Sequence, residues 1–213
     1  PDVDDANCRL LGPFALVVQA LMGILVVGTL VWKRQRERPR RPWKIWLLDI
    51  TKQMLGQLFV HTLNVLLSNF VANVGDENPC SLYFLNILVD TTAGVAIIYA
   101  TLRATTHFLT TVMGLKGCVS GQYTDGTKRG RGKASRPRLS YWSKQLGMYF
   151  FALFIMKVIV TLLFVLFPFL FALGRWLLGL FGEAKNVQVL FVMCIFPLLM
   201  NTMQFWLVDS LLR

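Results

Sequence analysis

No stretch of this 213-residue chain is polar enough, for long enough, to build a soluble domain once its apolar runs are set aside. Only 15% of the residues are charged against 55% hydrophobic, and the mean hydropathy is +0.55. Soluble globular domains carry about 25% charge, so composition excludes that class and any count of domains by length. Acids are scarcest, 11 against 22 Lys and Arg, which leaves a net charge of +11. The two His and four Cys form no CxxC and no Cys/His set with zinc-ligand spacing. HExxH, a nucleophile motif and a closely spaced carboxylate pair on one helix are also missing; Asp49, Asp90 and Asp209 fall in three separate segments. These absences argue against a metal site, a catalytic site and a cofactor, so the chain reads as a non-enzyme.

What the chain has in excess is apolar sequence. Residues 11–32, 45–70, 81–102, 145–173 and 187–212 each reach the ~20 residues that a helix needs to cross a hydrocarbon core. The predicted fold is all-α: one polytopic domain over residues 1–213 with five transmembrane helices. Its first run is too long for a signal-peptide core, and its basic cluster follows rather than precedes it, which predicts a retained helix with an exported N-terminus. Pro1 in place of Met reads as a segment of a longer chain.

Positive residues set the orientation. The connection 33–44 carries Lys33, Arg34, Arg36, Arg38, Arg40, Arg41 and Lys44. The connection 114–144 carries Lys116, Lys128, Arg129, Arg131, Lys133, Arg136, Arg138 and Lys144, whereas the opposite side holds only Arg9, Arg175 and Lys185. Basic loops stay cytosolic, so the N-terminus is predicted lumenal and the C-terminus cytosolic. Trp32, Trp43, Trp46, Trp142 and Trp206 fall near the same interface, where amphipathic indoles are favoured. Lys and Arg beside a membrane gain ~1 kcal/mol each from anionic lipid, and tethering to a membrane favours lipid over nucleic acid as their partner. The simpler role for the same charges is to orient the helices and hold their own leaflet.

This topology puts Cys8 and Cys80 on the lumenal side, Cys118 in a cytosolic loop and Cys194 inside the fifth helix. A Cys8–Cys80 disulfide and two unpaired thiols are both compatible with the spacing. Cys118 is expected to react readily from the cytosol.

Polar residues inside the spans are the candidates for function. In the second span Asp49, Gln53, Gln57, His61, Asn64 and Ser68 recur every three or four residues, a single stripe that has to face protein or water. Lys52 lies off that stripe and is expected to snorkel toward the cytosol. The third span contributes Asn86 and Asp90, the fourth Lys157, and the fifth Asn201, Gln204 and Asp209. Depth pairs two of them. Asp90 lies ~14 Å below the lumenal edge and Lys157 ~18 Å above the cytosolic edge at ~1.5 Å per residue, so across a ~30 Å core the two charges stand level. An Asp90–Lys157 ion pair is therefore predicted. For the neutral residues interhelical glue worth ~0.6 kcal/mol each is the plainer role. A lone His61 reads first as a hydrogen-bonded packing residue.

Several motifs resemble one family. Arg41-Pro42-Trp43-Lys44-Ile45-Trp46 followed by Leu48-Asp49, Lys52-Gln53 and His61-x-x-Asn64 is similar to the second crossing of the STIMATE family. Pro79-Cys80-Ser81-Leu82-Tyr83 with Asn86 and Asp90, Gly121-x-Tyr123, Trp142-x-x-Gln145, Lys157, and Pro197 through Asn201 with Phe205-Trp206 and Asp209 resemble it too. Cys8 looks like a family cysteine ahead of the first helix, which implies the disulfide. The resemblance implies a regulatory or organising membrane protein of the endoplasmic reticulum. Animal members support its junctions with the plasma membrane and promote store-operated calcium entry through STIM calcium sensors. Fungal relatives are often labelled vacuolar membrane proteins, which offers the vacuolar membrane as the alternative location. The implied partners are lipids, including anionic headgroups, and a membrane protein: a calcium sensor, or a contact-site or lipid-transfer protein. Gly126, Gly130 and Gly132 among the basic residues of the second loop depart from the animal pattern and read as flexible. The rival class is a transporter or lipid-moving subunit whose stripe lines a path, but no inverted repeat and no paired Gly and Pro interruptions occur.

Overall fold

The computed structural model describes residues 13–74, 79–124, 137–179 and 190–211, and every regular element among them is helical. Helix α1 spans Pro13–Arg36. It starts on a proline, whose missing N–H costs nothing in a first turn, and ends on Lys33, Arg34 and Arg36, which complement the negative end of the helix dipole. Helix α2, Trp43–Val74, follows Pro42 and at 32 residues is ~48 Å long, more than a bilayer core is thick. Helices α3, Pro79–Val89, and α4, Val95–His107, run on as one rod through a π-turn at Asp90–Gly94, and a second π-turn, Phe108–Val112, ends it. Helix α5 spans Leu139–Leu166, α6 Phe169–Gly179, and α7 Phe196–Leu211 after a π-turn at Phe191–Ile195.

Helix ends shift by several residues from the sequence reading, as where α5 starts at Leu139 and α2 runs on to Val74, and two spans change more than that. The run 145–173 is interrupted: Phe167 leaves the helix at φ −124°, ψ 70°, and α6 restarts beyond Pro168. Proline cannot donate the next helical hydrogen bond and its ring pushes the preceding residue out of the α region, so apolar content alone could not carry the helix through. The third run extends past Leu102 to Val112, which puts Arg103 and His107 inside the rod.

Helix α2 packs on α3, α5 and α7; α4 packs on α5; α1 lies along α7. Gly56 lets α2 come close to α5, since a Cβ there would overlap the Tyr149 ring and a Leu153 methyl on α5. Small residues that let helices touch are a regular device of membrane bundles. Around the crossing Val60, Ile98, Ala152, Met156 and Val160 form a closed apolar core.

Polarity is distributed the wrong way round for a soluble protein. Val17, Leu21, Ile24 and Leu25 on α1, Leu58 and Leu66 on α2, and Leu162, Val165 and Leu166 on α5 are exposed. Asp49, Lys52, Gln53, Asn64, Asn86, Asp90, Gln145, Lys157, Gln204 and Asp209 are buried. An apolar exterior of this extent needs an apolar solvent. Among the described residues two rods, Leu82–Val112 and Leu139–Leu166, are long and apolar enough to cross a membrane.

Candidate functional site

The buried polar groups divide into two sets. The first lies at the basic end of the bundle, where α1 ends, α2 begins and α7 finishes. Arg41, in the connection before α2, places Nη2 2.7 Å from Glu37 Oε1 and 2.9 Å from Asp209 Oδ2, with Nη1 3.4 Å from Asp49 Oδ2. Lys33 Nζ lies 2.9 Å from the same Asp209 oxygen, and Lys52 Nζ 3.2 Å from Asp49 Oδ1. Lys33, Arg41 and Lys52 against Glu37, Asp49 and Asp209 make three charges of each sign. Balance of this kind is what permits burial, because each ion loses hydration worth several kcal/mol that only partners can replace. Burial works against the Arg41 guanidinium, yet its hydrogen bonds to Glu37 and Asp209 prevail and hold its pKa above the ordinary arginine value. Arg34 donates to the Arg41 carbonyl at 2.7 Å and stacks 3.6 Å from the centre of the Trp43 ring.

A loop over residues 113–124 is fastened onto this set. Tyr123 is 1% exposed and donates its hydroxyl to Asp49 Oδ1. Burial first, then the Asp49 carboxylate, push the Tyr123 phenol well above the usual tyrosine range. Lys52 donates to Gln145 Oε1 at 2.8 Å, and Gln145 Nε2 lies 2.8 to 3.2 Å from the carbonyls of Gly117, Val119 and Gln122. Trp142 Nε1 donates to the Leu48 carbonyl at 3.0 Å. Gly117 adopts φ +85°, and a Cβ there would run into the Tyr141 ring, so the loop can lie flat only with glycine at that position. Cys118, part of this loop, is 2% exposed, so the readily reactive cytosolic thiol expected from loop placement is instead buried.

The second set lies in the middle. Lys157 Nζ is 2.7 Å from Asp90 Oδ2, 3.0 Å from Oδ1 and 3.3 Å from Asn86 Oδ1. These are the partners that depth matched. Asp90 opens the π-turn, and Asn64 of α2 hydrogen-bonds it from a third helix. Along the stripe, Gln57 donates to Asn201 Oδ1 at 3.1 Å and the His61 ring meets the Tyr83 hydroxyl at 3.5 Å; Gln53 Nε2 reaches Asp209 Oδ1 at 3.5 Å. Gln204 is buried beside Asn201, Asn64 and Asp90. The Ser68 side chain, Cys8, the Cys80 side chain and hence any bridge between the two cysteines, and Lys128, Arg129, Arg131, Lys133 and Arg136 lie outside the described residues.

Several basic residues change roles. Lys52 does not snorkel: it is 1% exposed and is committed to Asp49 and Gln145. Lys33, Arg34 and Arg41, read as facing lipid, turn inward to the carboxylates and the loop backbone, because three acids at the ends of α1, α2 and α7 need counter-charges more than the headgroups do. Arg36, Arg38 and Arg40 remain exposed, as does Arg138, whose guanidinium lies 5.7 Å from the Tyr141 ring centre. Sequence reasoning assigned no role to Glu37, Tyr123 or Gln145. Glu37 had a signal, a lone acid inside a basic run; the other two sat in family-like motifs whose contacts are long-range. Among the described residues no three His, Cys, Asp or Glu gather in a way that could hold a metal.

Apolar rods outside, neutralised charge networks inside and no strand among the described residues define a helical membrane protein. The chain belongs to the STIMATE family, whose sequence profile matches residues 80–213, from α3 to the end. It is similar to a protein of Saccharomyces cerevisiae named vacuolar membrane protein YPL162C, 35% identical over 222 residues that cover 97% of this chain and 80% of the relative. No solved structure matches the chain.

Proposed function

We propose that this protein is a non-enzymatic organiser or regulator at a contact between an organelle membrane and a second membrane, with five crossings, a lumenal N-terminus and a cytosolic C-terminus. Its location is the endoplasmic reticulum, at plasma-membrane contacts, or, as the yeast relative's name suggests, the vacuolar membrane. The observation that carries this reading is the fastening of loop 113–124 onto the bundle through Tyr123, Gln145 and Trp142. The loop leads directly into a run containing Lys128, Arg129, Arg131, Lys133 and Arg136, and the described residues on either side of that run are joined where the Arg138 N–H donates to the Tyr123 carbonyl at 2.9 Å. Such a segment attracts anionic lipid at ~1 kcal/mol per charge, enough over five residues to grip a second leaflet. Family membership supports a regulatory membrane role, with a calcium sensor or a contact-site or lipid-transfer protein as partner.

The test replaces Arg129, Arg131, Lys133, Arg136 and Arg138 by Gln. The bundle should fold unchanged while flotation with anionic liposomes weakens, and the difference from wild type should fade as salt rises. Full liposome binding together with full cellular function would sink the organiser. A second reading, a lipid-moving subunit, is favoured by the cavity that opens between α1 and α2. It requires the loop variant to be nearly normal and Gln57→Leu or His61→Leu to abolish activity.

A further inference from the structure

Helix α1 packs along α7 and scarcely touches α2, its neighbour in sequence. The seam left between α1 and α2 is plugged at the basic end by Leu30, Trp46, Ile50 and Phe205, which are buried together. Beyond that plug a cavity of about 210 Å³ opens onto the lipid-facing surface. Its walls are apolar and low in relief: Gly23, Val26 and Val27 on α1 oppose Met54 and Leu58 on α2. Its floor is polar, made by Gln57 and His61 of α2, Tyr83 of α3 and Asn201 of α7. Behind the floor a hollow about one water across runs past Asn64 to Asp90. There Asn64, 4% exposed, has a side-chain oxygen with no hydrogen-bond partner.

The chemistry of this cleft selects its occupant. Gln57, Tyr83 and Asn201 are uncharged, and Asp90 behind them is already neutralised by Lys157 at 2.7 Å. A charged headgroup would arrive at this depth without a counter-ion, at a cost of several kcal/mol. A hydroxyl both donates and accepts, which is what amide and phenol groups in an apolar pit can satisfy. The walls form a slot rather than a tunnel, because beside Met22 and Phe205 α1 contributes a glycine and two valines where more bulk would close it. At about 210 Å³ the cavity falls below the ~300 Å³ at which sites for whole drug-sized ligands begin, so it admits one compact end of a ligand and leaves the rest along the open seam. Two flexible acyl chains on a glycerol do not fit that shape; a flat fused-ring body does.

We propose that the α1–α2 seam is a binding site for a sterol-class lipid, its hydroxyl held by Gln57, His61 and Asn201 and its ring body lying in the slot between Gly23 and Leu58. This assignment stands apart from the contact-site reading, since it needs neither the basic loop nor a second membrane.

The experiment uses the full protein in nanodiscs with a sterol probe carrying a photoreactive diazirine and an alkyne, followed by peptide mapping. Crosslinks are expected in the peptides around Met22–Val27 and Met54–Leu58, and excess unlabelled sterol should remove them. Gly23→Leu fills the slot. A side chain at Gly23 meets no atom within 4 Å of its Cβ, and leucine is the better helix former, so a melt should show the fold intact while labelling falls about tenfold. Gln57→Leu should weaken the unlabelled sterol as a competitor by a similar factor while crosslinks stay at the slot. Labelling unchanged in Gly23→Leu, crosslinks spread evenly over the lipid-facing helices, or equal competition by diacylglycerol would each overturn the assignment.

Discussion

Asp90 and Lys157 meet in mid-bundle as a single ion pair hydrogen-bonded by the amides of Asn64 and Asn86, whereas Asp49 and Asp209 at the basic end each answer to two cations as well as neutral donors. Both sets are buried and both are electrically balanced. They differ in how many partners remain when one is lost. In the middle, removal of either ion leaves the other with neutral partners alone, Asn86 for Lys157 and Asn64 for Asp90. At the end, Asp49 and Asp209 each keep a second cation when one is removed, and Glu37 alone rests on Arg41. Burial alone therefore does not decide how brittle a charge is; the redundancy of its partners does.

The strongest way to break this comparison is at Lys157. Lys157→Met should destabilise the protein by about 3–5 kcal/mol, because it leaves the Asp90 carboxylate buried with amides alone. Asp90→Asn in the Lys157→Met background should restore most of that loss, since both ions are then gone. Reversible unfolding in mixed micelles measures both variants, and additive losses in the double variant would show that the two charges are not coupled.

At the basic end Arg41→Gln removes a residue that touches all three acids of the network. The expected cost is about 2 kcal/mol, smaller than at Lys157 although more contacts vanish, because Lys33 still holds Asp209 and Lys52 still holds Asp49, so that Glu37 is the one acid that loses its cation. A loss equal to that of Lys157→Met would erase the distinction between the two sets. Arg38→Gln, changing an exposed side chain of the same connection, sharpens it from the other side and should stay within ~0.5 kcal/mol of wild type in the same assay.

The two sets were also unequally legible in the sequence. The central pair could be found by arithmetic: a helix rises at a fixed rate, a bilayer has a fixed thickness, and Asp90 and Lys157 come out at one level. The stripe on α2 was visible for the same reason, since 3.6-residue periodicity is a local property. The network was not. Lys52 and Arg41 look like interfacial bases until it is known that α7 returns to put Asp209 beside Arg41, and that the loop folds back to put Gln145 beside Lys52. Those are contacts across 168 and 93 residues, which no local pattern encodes. The interruption at Pro168 was in plain sight and was overridden by the hydropathy of its flanks, whereas the π-turns at Asp90 and Phe191 leave no mark in composition.

Tyr123 gives the finest test of the network itself, because it probes how the network shares its load. Its hydroxyl is one of several groups on Asp49, beside Lys52 and Arg41. Tyr123→Phe keeps the ring and deletes the donor, so the expected loss is about 1 kcal/mol at neutral pH. The difference should also depend on pH in one direction. Burial and the neighbouring carboxylate keep the folded phenol protonated above the ordinary value of 10.0 that it takes when unfolded. Below pH 10 the two states bind the same proton and the contribution of Tyr123 is complete; above it the unfolded chain releases that proton while the folded chain retains it, so stability declines as pH rises. Wild type should therefore fall toward Tyr123→Phe between pH 10 and 11, with the lysines that titrate there cancelling between the two proteins. A gap that stays constant over that range would mean that the phenol ionises as freely in the folded protein as in the unfolded chain, and that loop 113–124 is not anchored through Asp49.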